Sequence, residues 1–268
     1  MGSEKKSPAF LFIGGAVGSG NTLLFEALTR DTKIYGINED RLAGTLEALL
    51  ASEQEMGACP HSLDAFVEFM YALRGDRQTL VLKTPANIRR IDLLKRYLPD
   101  SAFIVTVRRP ESAIASGKSR HQKSVREVAA IWKSDYEPIL ESLPQLHVVT
   151  YERLVAQPTD VLSELAERIQ PFDDQVYRFA ATMADPERAS PTWWRHRLSI
   201  DDQEHVEAVV AKEELDVLYG RITGISNIEA AGAGQQAPSR FRRKLRNIQR
   251  SAVIIANKVL VLGRRAKR

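Results

Sequence analysis

The sequence predicts an α/β protein of three layers, a central parallel sheet between helices, and three observations predict it. Four short apolar runs, at 9–13, 79–83, 102–107 and 146–151, are bounded by turn residues and read as strands buried on both faces. Helical patterns lie between them, the alternation expected of parallel strands joined by crossover helices. The first run, Ala9-Phe10-Leu11-Phe12-Ile13, leads directly into GGAVGSGNT at 14–22, the strand, glycine turn and helix start of a phosphate-binding loop.

Taken in order, the helical patterns fall at 21–30, 39–54, 62–74, 87–97, 111–120 and 125–142. Ser124-x-x-Glu127 forms a capping box ahead of the last of these. After Tyr151 the chain becomes helical, at about 158–169, 173–183 and 200–218, with Thr159 and Asp201 as expected N-caps. Residues 223–239, TGISNIEAAGAGQQAPS, are small and polar and read as a linker. The predicted organisation is a domain over 1–222, this linker, and a tail over 240–268.

At 268 residues and 44% hydrophobic content the chain suits one large domain with an appendage. No apolar stretch reaches the roughly 18–20 residues that span a bilayer. MGSEKKSPAF lacks the apolar core of a secretory signal, and Lys6 stands where a myristoylation motif wants Ser or Thr. A single cysteine, Cys59, forbids an intrachain disulfide and fits a reducing compartment, so the expected location is cytoplasmic. The net charge of +4 hides an asymmetry: residues 240–268 hold eleven Lys or Arg and no acid. Residues 1–239 then carry 27 basic against 34 acidic side chains, a balance of −7.

In open α/β sheets ligands bind at the carboxyl ends of the strands. A P-loop kinase or ATPase wants an Asp there for Mg²⁺, and a lysine in its glycine loop. Here the loop is G-x-x-x-x-G-N-T from Gly15, with Asn21 in the lysine's place. TLVLK ends in Lys83, FIVTVRR ends in Arg108 and Arg109, and only HVVTYE closes on an acid, Glu152. Two cationic strand ends facing a glycine loop make an anion site that needs no metal. A lysine-less P-loop kinase is the alternative from another class.

Several segments carry a resemblance in order: G15-A-V-G-S-G-N-T-L-L24, Lys83-Thr84-Pro85-Ala86-Asn87, V107-R-R-P-E-S-A-I-A-S116 and Tyr151-Glu152-Arg153-Leu154. Together they resemble the sulfotransferases that use 3′-phosphoadenosine 5′-phosphosulfate (PAPS), nearest to the carbohydrate and tyrosyl-protein branches. The resemblance implies that Gly18, Ser19, Gly20, Asn21 and Thr22 wrap the phosphosulfate. It implies that Arg108 and Ser116 share the 3′-phosphate and that Tyr151 sits near the adenine. Pro110 suits the first position of the helix that carries Ser116.

Two departures shape the expected chemistry. The family usually has Lys or Arg at Gly18, so Lys83 is the natural cation near the sulfuryl group. The small-molecule branch carries a histidine base two residues after the strand-end lysine, where this chain has Pro85. Glu39, some twenty residues past the loop, is therefore the expected general base. It competes with the plainer reading of a glutamate that favours the start of helix 39–54. The five histidines show no metal-ligand spacing, although His121 and His196 could line an acceptor cleft. Trp193 and Trp194 belong either to a late loop over the cofactor or to core packing.

The implied activity is direct transfer of a sulfuryl group to an acceptor hydroxyl, on a carbohydrate or glycolipid, without metal. A non-catalytic PAPS-binding relative that lost activity with the Gly18 position is the further alternative. In the tail, Phe241, Leu245, Ile248, Ala252, Ile255, Val259 and Leu262 make one apolar helical stripe flanked by arginines. That pattern predicts an interfacial helix on an anionic membrane, peripheral to its inner face. A dimerising helix and a dangling tail are the rivals, and the acidic body makes nucleic acid the least attractive partner.

Overall fold

The structure, a computed structural model, describes residues 7–56, 60–121 and 123–224. One sheet of five parallel strands runs in the order β2-β3-β1-β4-β5. The strands are β1 (Phe10–Gly14), β2 (Ile34–Asn38), β3 (Thr79–Lys83), β4 (Ser101–Val107) and β5 (His147–Thr150). Because side chains alternate across a strand, Phe10 and Phe12 enter one core and Leu11 and Ile13 the other.

The Leu11 face is covered by α1 (Asn21–Leu28), α7 (Tyr151–Ala156), α8 (Pro158–Arg168) and α9 (Asp174–Thr182). The Phe12 face carries α2 (Leu42–Met56), α3 (Pro60–Arg74), α4 (Ile91–Tyr97), α5 (Pro110–His121) and α6 (Val125–Tyr136). It also carries α11 (Ile200–Lys212) and α12 (Leu215–Thr223), while the single turn α10 (Pro186–Ala189) packs against α7. This is the three-layer α/β architecture that the strand and helix alternation predicts. Trp132 and Tyr136, both fully buried on α6, stack edge to face at 4.8 Å and anchor that helix beneath the strand ends.

From β1 the chain crosses to β2 on one side of the sheet, and from β4 it crosses to β5 on the other. The crevice at such a reversal opens between the carboxyl ends of β1 and β4. The glycine loop follows β1, and Arg108 follows β4.

Several boundaries differ from the sequence reading for local reasons. The strand Ile34–Asn38 is absent from the four predicted runs. It is an edge strand with only Ile34 buried, and so presents no continuous apolar stretch. Helix α2 starts at Leu42, not at residue 39, because Glu39 takes a left-handed conformation with φ 54°. Glu214, also at φ 54°, divides the predicted 200–218 helix into α11 and α12. Predicted helix 125–142 becomes α6 and a 3-10 turn at Glu137–Glu141. Predicted strand 146–151 ends at Thr150, whose side chain caps α7 by accepting the Arg153 N–H, so Tyr151 begins a helix.

Thr159 and Asp201 are not the N-caps. Gln157 precedes Pro158 at the start of α8, and the Ser199 hydroxyl caps α11 by accepting the Asp202 N–H. The capping box stands as expected, with the Ser124 hydroxyl accepting the Glu127 N–H and Glu127 accepting the Ser124 N–H. Cys59, the side chain of His121, the linker beyond Gly224 and the basic tail lie outside the described residues. Among the described residues no helix is long and apolar enough to cross a membrane.

Candidate functional site

The loop is held from beneath by side chains that never face outward. Ser19 is fully buried, and its hydroxyl donates to the Ala16 carbonyl at 2.5 Å and stands 3.0 Å from Thr106 Oγ1. Asn21, in the lysine's place, donates its amide to the Gly15 and Ala16 carbonyls at 3.0 and 3.3 Å. Its Oδ1 accepts the Thr106 hydroxyl at 2.5 Å. Tyr136 closes the knot: its oxygen accepts the Ala16 N–H at 2.9 Å and its hydroxyl donates to the Thr106 carbonyl at 2.7 Å. Burial pushes the Tyr136 phenol far above its usual range, so it stays a neutral donor. The hydroxyl of Ser19 and the amide of Asn21 therefore shape the loop from within. The backbone N–H groups at the start of α1 remain, since Gly20 at the N-cap offers no side chain to them.

One end of the loop meets a cation that most of the fold encloses. Arg108 is 3% exposed, and only its Nη1 is bonded, donating to the Gly18 carbonyl at 3.1 Å. Its Nε and Nη2 are buried without a partner, as is the hydroxyl of Ser116 on α5. The guanidinium lies 4.0 Å from the centre of the Tyr151 ring and 5.6 Å from that of Trp193. Burial lowers the Arg108 pKa; Tyr151 and Glu152 act against that, and the positive charges of Arg197 and Arg120 add to it. Gly18 makes the junction possible. Its φ is 85°, and an added Cβ would stand 3.1 Å from Ser116 Oγ. At Gly20, with φ 99°, a Cβ would meet the Tyr151 ring at 2.9 Å. Gly18, Gly20, Arg108, Ser116 and Tyr151 thus converge.

The other end meets β3. Lys83, 2% exposed, pairs with Glu39 Oε1 and donates to Thr22 Oγ1 at 3.2 Å. Parallel register places Lys83 beside Ile13 on one side and Asn38 on the other, so the lysine lies between the loop and Glu39. Glu39 remains outward, its side chain 63% exposed, and its left-handed backbone turns it toward Lys83 instead of into the first turn of α2. Glu39, Lys83 and Thr22 form the second convergence.

Four contributors were not singled out in the sequence. Thr106 and Tyr136 hold the loop, and they look like ordinary strand and core residues. Arg197 and Arg120 influence Arg108 from segments remote in sequence. Trp193 lies between two guanidiniums, with Arg197 5.0 Å from its ring centre, whereas Trp194 is 3% exposed in the core. The core-packing reading therefore holds for Trp194, while Trp193 stands beside Arg108 and Arg197. His196 is exposed on the same turn. The Arg109 backbone N–H donates to Glu152 Oε1 at 3.0 Å, and Glu152 Oε2 accepts the Tyr219 hydroxyl at 3.1 Å. Among the described residues no cluster of His, Cys, Asp or Glu has the arrangement of a metal site.

Residues 8–174 match the sequence pattern of the sulfotransferase family. In fold the chain is similar to the sulfotransferase domain of the olefin synthase of Synechococcus PCC 7002. That match has 19% identity and a TM-score of 0.53, over 79% of this chain and 98% of that domain. A sulfotransferase of Mycobacterium tuberculosis H37Rv aligns with 17% identity and a TM-score of 0.47, over 82% of this chain and 77% of that one. No curated protein matches the sequence.

The buried polar atoms divide into those that hold the loop and those without a partner, and substitution separates them. Thr106→Val should lower unfolding free energy by about 1–3 kcal/mol, because it leaves the buried Asn21 Oδ1 without its donor. Ser116→Ala should leave stability unchanged or raise it, since its hydroxyl has no bond to lose. Urea denaturation of both variants checks the contrast.

Proposed function

Since this chain belongs to the sulfotransferase family, whose pattern spans residues 8–174, we propose that it transfers a sulfuryl group from PAPS to an acceptor hydroxyl. The observation that carries this reading is the buried, partnerless donor set of Arg108 Nε, Arg108 Nη2 and Ser116 Oγ. Three such donors suit the oxygens of a phosphate, and a charge-assisted bond of this kind contributes roughly 1.5–3 kcal/mol. Arg108 and Ser116 would hold the 3′-phosphate, with Tyr151 and Trp193 offering ring faces beside it. The backbone of Gly18 to Thr22, at the start of α1, would hold the phosphosulfate.

When bound, PAPS supplies the sulfuryl group. Lys83 provides the positive charge that the family usually places at the loop's Gly18 position. It is enclosed, and it contacts Thr22 in the loop directly. Glu39 receives the acceptor's hydroxyl proton, at Oε2, the oxygen that the Lys83 pairing leaves. Lys83 holds that carboxylate in one orientation. The side chains of Ser19 and Asn21 support the loop, and only their backbone would face the donor.

A metal-dependent kinase receives no comparable support. Glu152, the acid after β5, has both carboxylate oxygens bonded to Arg109 and Tyr219. The acceptor is read as a carbohydrate or glycolipid, on the Lys83–Glu39 arrangement and the basic apolar stripe of 240–268. That stripe would bring the enzyme to an anionic membrane surface.

Adenosine 3′,5′-bisphosphate should raise the melting temperature of the protein more than Mg²⁺·ATP does, and Arg108→Ala should abolish the shift. A bisphosphate shift that survives the substitution rejects the site assignment. Glu39→Gln should keep bisphosphate affinity and lower turnover by roughly 10²–10⁴-fold. Unchanged turnover would remove Glu39 as the base, and no turnover in either form would favour the non-catalytic relative. Full-length protein should pellet with anionic liposomes while a 1–239 truncation stays in solution; equal pelleting would remove the membrane role.

A further inference from the structure

An open cleft of about 520 Å³ lies near the Lys83–Glu39 pair, between the first turns of α2 and the segment that follows β3. Asp40 and Thr84, the residues next in chain to Glu39 and Lys83, both line it, so the cleft begins one residue away from each member of that pair. We propose that this cleft is the acceptor subsite and that it selects an acidic carbohydrate, one whose sugar carries a carboxylate near the hydroxyl to be modified. The inference rests on the sulfotransferase reading of the neighbouring site.

Charge supports an anionic occupant. Arg41 and Arg90 both line the cleft. Arg41 is exposed and has no carboxylate partner among the described residues. Arg90 pairs with Glu47 at 2.8 Å, but that glutamate is 60% exposed, and exposed pairs of this kind exchange readily. The one carboxyl on the wall, Asp40, is turned to structural use. Its Oδ1 accepts the Leu42 N–H at 3.2 Å and its Oδ2 accepts the Asn87 amide at 3.3 Å. Burial, with Glu39 beside it, raises the Asp40 pKa, while Asn87, Leu42 and Lys83 hold it down. The wall therefore presents two guanidiniums against one carboxyl that is 6% exposed and already bonded on both oxygens.

Shape and surface support a sugar over a peptide side chain. Ala43, Ala48 and Ala86 keep the lining short. Gly44, the third residue of α2, has nothing within 4 Å of where a Cβ would stand. Gly44 leaves a bare backbone face, the Thr84 hydroxyl lines the cleft, and the Thr45 hydroxyl, which donates to the Arg41 carbonyl at 3.1 Å, offers an acceptor for ring hydroxyls. No aromatic side chain lines the cleft, so the ring of a tyrosine acceptor would find no stacking partner there.

The test uses the full chain saturated with adenosine 3′,5′-bisphosphate at constant ionic strength. Binding is measured by titration calorimetry for cellotetraose, for the same tetramer oxidised at C6 to the tetrauronate, and for a Glu-Tyr-Glu peptide. The tetrauronate should bind about tenfold or more tightly than cellotetraose, the factor expected of one charge-assisted bond. Arg41→Ala and Arg90→Ala should each shrink that preference, and neither should change bisphosphate affinity. No tetrauronate binding, equal binding of the two sugars, a preference that survives both substitutions, or tighter binding of the peptide overturns the proposal. Because bisphosphate affinity is read in every arm, its loss in the unsubstituted protein would instead indict the donor site.

Discussion

Taking a guanidinium out of water costs several kcal/mol unless other groups compensate it, and Arg108 is such a guanidinium. The fold compensates it only in part, through one carbonyl and the faces of Tyr151 and Trp193. The remaining donors wait, with the Ser116 hydroxyl, beside a glycine that admits both. Two other arginines stand near enough to depress its pKa. A stability-driven sequence would replace such a cluster with apolar side chains of similar volume. Its retention at the crevice between β1 and β4 is intelligible once an oxyanion is part of the account.

The rest of the loop follows from that division of labour. Where a nucleotide kinase extends a lysine, this chain folds Asn21 back onto Gly15, Ala16 and Thr106, so the loop is stiffened and its cationic side chain given up. Positive charge then has to come from neighbouring strand ends, Arg108 after β4 and Lys83 on β3. The two cations approach opposite ends of the same loop, contacting Gly18 and Thr22 respectively. A ligand with an anion at each end matches that spacing along the chain. The left-handed backbone at Glu39 belongs to the same design: a non-glycine residue there is uncommon, and it turns a carboxylate onto Lys83.

Much of this was legible in the residues. Buried strands announce themselves as apolar runs, which is why β1, β3, β4 and most of β5 were readable while the half-exposed β2 was not. Strand ends followed by Lys83 or Arg108 placed the cations without coordinates. The direction in which a side chain points was not legible. Ser19 and Asn21 have the composition of ligand donors, yet they face inward because Thr106 meets both from 85 or more residues away. Helix ends at Glu39 and Glu214 depend on a positive φ that neither residue advertises. Trp193 and Arg197 come near Arg108 only through tertiary packing, beyond the segment that carries the family pattern.

The central claim is that a phosphate on the ribose, not merely the nucleotide, satisfies Arg108 and Ser116. Titration calorimetry of the unsubstituted protein with adenosine 3′,5′-bisphosphate and with adenosine 5′-monophosphate, each with and without a chelator, tests it most directly. Loss of the 3′-phosphate should weaken binding by about 100-fold, as expected for two charge-assisted bonds, and the chelator should change neither affinity. Equal affinity for the two nucleotides, or bisphosphate binding that requires a divalent ion, would contradict the account.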